Sequence, residues 1–112
     1  MLPKKFRTTL TEFHNNKNTV IKLISYHLIF FIKKNNSKYP RFVVSVVKAL
    51  DKRSVYRHQT KRVIIESLRK YLAVISKQAD VLIKARKIIK KMQKLEIERE
   101  VADILGKAGL ST

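Results

Sequence analysis

The sequence has no cysteine and no tryptophan, only two glycines and two prolines, and only eight acidic residues. Each shortage excludes something. Without cysteine there is no disulfide and no thiolate zinc site. Scarce glycine and proline leave few sharp turns and favour long uninterrupted helical segments. No glycine pattern of the P-loop or dinucleotide-binding kind occurs, so no phosphate-cradling loop is encoded. The longest apolar stretch, residues 20–32, is interrupted by Lys22 and His27 and is shorter than the roughly 18–20 residues that cross a bilayer. No small-residue cleavage site follows it, which argues against a signal peptide.

A catalytic constellation is also missing. His14, His27 and His58 lie far apart, none with a second histidine at ligand spacing. A lone histidine on an apolar face, such as His27, reads as a satisfied core residue. Glu96, Glu98 and Glu100 sit two apart and would diverge around a helix rather than pair on one face. The expectation is a non-enzyme with no cofactor, no metal and no small-molecule substrate.

Positive charge, in contrast, is abundant. The 112 residues carry 26 Lys+Arg and a formal net charge of +18. The length suits one domain, and 45% apolar residues argue against disorder throughout. Charge of one sign at this density repels itself, and a polyanion relieves it while releasing counterions. The charge is uneven. Residues 1–95 hold all but two of the basic residues and only Glu12, Asp51, Glu66 and Asp80 as acids. Residues 96–112 reverse sign, with Glu96, Glu98, Glu100 and Asp103 against Arg99 and Lys107. That last segment is expected to pack on the basic body or touch a protein partner rather than face a polyanion.

Periodicity predicts an all-α fold: a small helical domain, residues 1–112, with a buried central helix, a long basic C-terminal helical arm and a helix-turn-helix flavour. Residues 1–18 form a basic amphipathic start, with Leu2, Phe6, Leu10 and Phe13 at helical spacing. This pattern also resembles a mitochondrial targeting segment, although a short helix docked on the core is preferred. Residues 19–53 read as a hydrophobic helical pair. Its first member, 19–34, is apolar nearly all round and therefore central. Its second, 40–51, starts on Pro40; strands are the competing reading of both, given their β-branched content. Residues 54–106 read as one long helix or a hairpin. Ser54 serves as N-cap and Gly106 as stop, with a seam of Ile65, Leu68, Leu72, Ile75, Ala79 and Leu82 that slips register into Ala85, Ile88, Met92 and Leu95. A turn near 76–80, capped by Asp80, would fold it back. Unbroken, residues 54–105 would extend about 77 Å.

Two basic groups are the candidate binding residues. Lys52, Arg53, Tyr56, Arg57, Gln59, Lys61 and Arg62 follow a short turn at a helix start, where helix-turn-helix proteins carry base-reading residues. Arg and Gln make bidentate contacts to guanine and adenine, and Tyr and Lys suit phosphates. Lys84, Arg86, Lys87, Lys90, Lys91 and Lys94 fall in an acid-free stretch and would line a helix face as phosphate contacts. Most of the aromatic residues lie on apolar stripes and read as core.

The function expected is non-enzymatic nucleic-acid binding, duplex DNA ahead of RNA. The alternatives are a ribosomal or ribonucleoprotein component and a virion-type helical oligomer assembled through the 65–95 seam. A membrane-surface role through the 2–13 segment is the weakest. The expected location is intracellular (cytoplasm, nucleoid or virion), with mitochondria as the alternative.

Overall fold

A computed structural model describes residues 2–75 and 77–110. It is not all-α. A four-stranded mixed sheet carries three helices. In chain order these are α1 (Leu10–Asn15), β1 (Val20–Ile24), β2 (Leu28–Lys34), β3 (Arg41–Ser45), α2 (Ser54–Arg69), β4 (Ala79–Ala85) and α3 (Lys94–Lys107). Short 3-10 turns at Lys4–Phe6, Leu72–Val74 and Lys91–Gln93 punctuate it.

The spatial order is β1-β2-β4-β3. β1 pairs antiparallel with β2, and β2 with β4. β3 lies parallel to β4, with α2 as the crossover between them. The expected central helix 19–34 is thus a hairpin. Its Val, Ile and Phe residues suit a pleated, half-buried surface better than a helix. The expected second helix is β3 followed by a turn, with Phe42 and Val44 inward on alternate positions. The element directly before α2 is a strand, β3, so the described residues form no helix-turn-helix there.

The expected long arm is three elements. α2 ends at Arg69, β4 follows, and α3 begins at Lys94. The seam slip near residues 82–85 marks a strand, not a helical discontinuity. Asp80 caps no helix and sits inside β4. Ser76, in the expected fold-back turn, and the last two residues of the tail lie outside the described residues. With Leu68 buried in α2, and Ala79 and Leu82 buried in β4, the described residues leave no continuous 65–95 apolar seam for a second copy. Helix α3 runs through Gly106 to Lys107, and Gly109, at φ +71°, supplies the left-handed residue just beyond it.

One sheet face holds the core. Leu28, Phe30, Ile32, Phe42, Val44, Val81 and Ile83 pack with Val63, Ile64 and Leu68 of α2 and Ile97, Val101, Ile104 and Leu105 of α3. The acidic tail segment is internal counter-charge. Its Glu98 pairs with Lys70, just past the end of α2, at 3.1 Å, and Glu66 of α2 reaches Lys94 of α3 at 3.5 Å. The Glu98 hydrogen bond raises the pKa of Lys70. No helix among the described residues is long and apolar enough to cross a membrane.

Candidate nucleic-acid interface

The start of α2 is built by its own charges. Asp51 accepts hydrogen bonds from the Arg53 backbone N–H (2.9 Å) and guanidinium (3.1 and 2.9 Å). These bonds hold the Asp51 carboxyl below its usual range. The Arg53 guanidinium also lies 4.1 Å from the Tyr56 ring centroid. Arg57 donates one nitrogen to the Asp51 and Lys52 carbonyls, each at 2.9 Å. It clamps the turn, so part of its fork is spent inside the fold. Inside the helix, Thr60 is fully buried. It donates to the Tyr56 carbonyl and accepts from Ile89 N–H, both at 2.9 Å.

Burial of Thr60, Val63, Ile64, Ser67 and Leu68 fixes which side of α2 faces out. His58, Arg62 and Arg69, on the opposite side by helical spacing, are exposed, as are Lys52 and Lys61. Gln59 is half-buried. The first expected group is therefore contiguous, with Lys61 and Arg62 outward and Arg53 and Arg57 partly engaged.

The second group is dispersed. Lys84 is in β4, Arg86 and Lys87 are in the bend after it, and Lys90, Lys91 and Lys94 surround the 3-10 turn that opens α3. They share no helix face. The Lys90 N–H is held by the Gln93 side chain at 2.8 Å, and Lys91 is exposed.

The second sheet face makes a site that sequence periodicity missed. Lys22, Phe31, Leu82 and Val43 form one cross-strand row, flanked by the Ile29–Lys84 and Lys33–Asp80 pairs. Helix α1 covers only one part of this face, through buried Phe13. Lys33 Nζ lies 4.4 Å from the Phe13 ring centroid and donates to the Phe13 and Asn16 carbonyls at 3.0 Å each, closing the end of α1. A cavity of about 200 Å³ remains, lined by Phe13, His14, Val20, Phe31, Lys33, Leu82 and Lys84. Phe31 is half-buried, with Lys84 Nζ at 5.5 Å and Lys22 Nζ at 5.7 Å from its centroid. An aromatic ring between two cations suits a stacked base flanked by phosphates. Only the strand register brings these residues together. Burial alternates along β2, but its sequence, five apolar residues followed by two lysines, carries no alternation that could have signalled it.

Asp80 anchors this side. Its buried carboxylate accepts from Arg41 Nε (2.9 Å) and Nη2 (3.1 Å), Asn35 Nδ2 (2.8 Å) and Asn16 Nδ2 (3.1 Å). Burial works to raise its pKa, but the bonds from Arg41, Asn35 and Asn16 outweigh that and hold it below the ordinary value. Asn16 is the C-cap of α1, so the network fixes α1 against the sheet. No group of three or more His, Asp or Glu suited to a metal comes together among the described residues.

Known proteins resolve the alternatives. The family model described as Ribonuclease P matches residues 3–109. The RNase P protein of Staphylococcus aureus superposes with a TM-score of 0.78 at 22% identity, covering 96% of this chain and 98% of that one. The RNase P protein of Thermotoga maritima does so at 0.64 and 24%, covering 91% and 93%. At these identities the structural likeness speaks for the fold. No curated protein matches in sequence. The family match overturns the expectation of a non-enzyme, since the family serves an RNA-cleaving enzyme, and it lends no support to duplex DNA as the ligand. Because the match runs over nearly the whole chain, this protein belongs to the Ribonuclease P family, as the RNA-binding subunit of an RNA-cleaving enzyme.

Proposed function

We propose that this chain binds the RNA component of RNase P through the outward face of α2 and takes an unpaired RNA strand in the groove between α1 and the open sheet face. The observation that carries the reading is Phe31, set on an open sheet between Lys22 and Lys84. Base-stacking aromatics on a sheet with flanking cations favour single-stranded RNA, whose bases are free to splay. On α2, Lys52, Lys61, Arg62 and Arg69 supply exposed charge for phosphates. Lys84 serves the groove, while Lys90 and Lys91 extend the positive field near the start of α3.

The test is fluorescence anisotropy with a structured RNA, an unpaired RNA and duplex DNA, at two salt concentrations. The RNAs should bind more tightly than the duplex DNA at about 0.15 M salt. Phe31→Ala should weaken the unpaired RNA by about 1–3 kcal/mol and leave the structured RNA nearly unchanged. Arg62→Ala with Arg69→Ala should weaken structured RNA and flatten its salt slope by about 2 units. Equal affinity for duplex DNA, or a neutral Phe31→Ala, would refute the reading.

A further inference from the structure

The turn joining β1 to β2 is held more firmly than a surface hairpin requires. Glu100 of α3 accepts from Ser25 Oγ (2.5 Å), the His27 backbone N–H (2.8 Å) and His27 Nδ1 (2.5 Å). Arg86, just past β4, donates its backbone N–H to the His27 carbonyl (2.7 Å) and its guanidinium to the Ser25 carbonyl (2.6 Å). Ser25 N–H closes the turn on the Leu28 carbonyl at 2.8 Å. His27 is buried. Burial acts to raise the pKa of Glu100, but the bonds from Ser25 and His27 outweigh it and keep the carboxyl below its ordinary value. Glu100 and Arg86, both distant in sequence, thus fix Ser25 and His27.

Between the two anchored residues sits Tyr26, 65% exposed and far more open than Tyr56 at 38%. It has no place in the core. Its ring centroid lies 4.7 Å from that of His27 in a T-shaped arrangement, and Lys87 Nζ lies 3.7 Å from its centroid. A large exposed ring forgoes the burial that ordinarily stabilises an aromatic residue. Rigid backbone around it lowers the ordering cost of any contact the ring makes.

We infer that Tyr26 and Lys87 form a separate stacking subsite for one unpaired RNA base, beyond the groove at Phe31. Tyr26 offers the π surface, and Lys87, on its flexible stem, offers a cation to the neighbouring phosphate. The placement agrees. The turn begins where the Leu28–Ala85 pair ends the sheet, roughly 10 Å along β2 from the Phe31 row. A strand stacked on Phe31 and running towards this end of β2 would come within reach of Tyr26. Arg86 and Glu100 are positioning residues that hold the turn.

This subsite rests on the RNA-binding reading, and one experiment separates the two. The chain contains no tryptophan, so Tyr26→Trp installs a single reporter at an exposed position. Labelled oligouridylate of about ten nucleotides is followed by anisotropy, and the tryptophan by its emission. Quenching that saturates in step with anisotropy is expected, with little quenching by a blunt RNA duplex bound through α2. Tyr26→Phe should retain affinity for the oligouridylate, and Tyr26→Ala should lose about 5- to 150-fold. Binding by anisotropy with unquenched tryptophan, or an unchanged affinity in Tyr26→Ala, overturns the subsite while the RNA-binding function stands. Failure of both RNAs to bind overturns both.

Discussion

Replacing Arg41 with methionine keeps most of the side chain's length and removes the cation that faces Asp80. Of the four hydrogen bonds on that carboxylate, two come from Arg41. Asp80 is fully buried and the Arg41 side chain is 27% exposed. Breaking a buried pair from one side costs about 3–5 kcal/mol, and the two remaining asparagine bonds place this case near 3. The 3.5 Å contact of Arg41 with Glu12 is well exposed and adds little. Urea unfolding at pH 7 should show a midpoint lowered by about 2 M. The pH dependence gives a second reading of the same mechanism. In the native chain Asp80 has a depressed pKa, so its contribution is present above about pH 4 and is lost as pH falls through the depressed value. Without Arg41, burial meets less opposition and the carboxyl pKa rises above that of the unfolded chain. The variant then takes up a proton on folding, and its deficit relative to the native chain shrinks as pH falls from 7 towards 4. A loss under about 1 kcal/mol, or a deficit constant across that range, would refute this account.

Thr60→Val keeps the shape of the side chain and leaves the buried Ile89 N–H without its acceptor. It should cost about 1–3 kcal/mol in urea unfolding. Arg57→Ala should lower stability by about 1 kcal/mol through loss of the two carbonyl contacts that clamp the turn before α2. In filter binding it should not change which RNA sequences are preferred.

Charge was the part of the function legible in the sequence, because a surplus of Lys and Arg needs no fold to be seen. The start of α2 was legible to within one residue: Ser54, expected as its N-cap, is its first residue, and Arg53 occupies the cap position without a side-chain cap bond. The helix's apolar residues recur at helical spacing after a polar break, and the long side chains around Arg57 to Arg62 favour a helix. The strands were hidden for separate reasons. The turn at residues 25–27 is Ser-Tyr-His, without glycine, proline, asparagine or aspartate, so Ser25, whose hydroxyl accepts from the Leu28 N–H at 3.2 Å, is its one weak turn signal. In β4, residues 79–83 are buried on both faces, which erases the alternation that identifies a half-exposed strand. Ile75, Ala79 and Leu82 then imitate helical steps. The groove was out of reach for a further reason: Lys22, Phe31 and Leu82 become neighbours only through pairing across three strands. His27 did read as a satisfied core residue, but its partner Glu100, 73 residues away, could not be named from spacing.

The strand order has a consequence for how the chain comes together during synthesis. β4 is central, pairing with both β2 and β3, yet it is the last strand to emerge. Until residues 79–85 are made, β2 and β3 each present an unsatisfied edge rich in Ile, Phe and Val, the kind of edge that recruits strands from other chains. The nascent segment is at that stage almost purely cationic, so its copies repel one another while the edges wait. The excess of lysine and arginine that suits the folded protein to RNA thereby also guards its unfinished sheet, and half of the acids, Glu96, Glu98, Glu100 and Asp103, arrive with α3, after β4 has closed the gap.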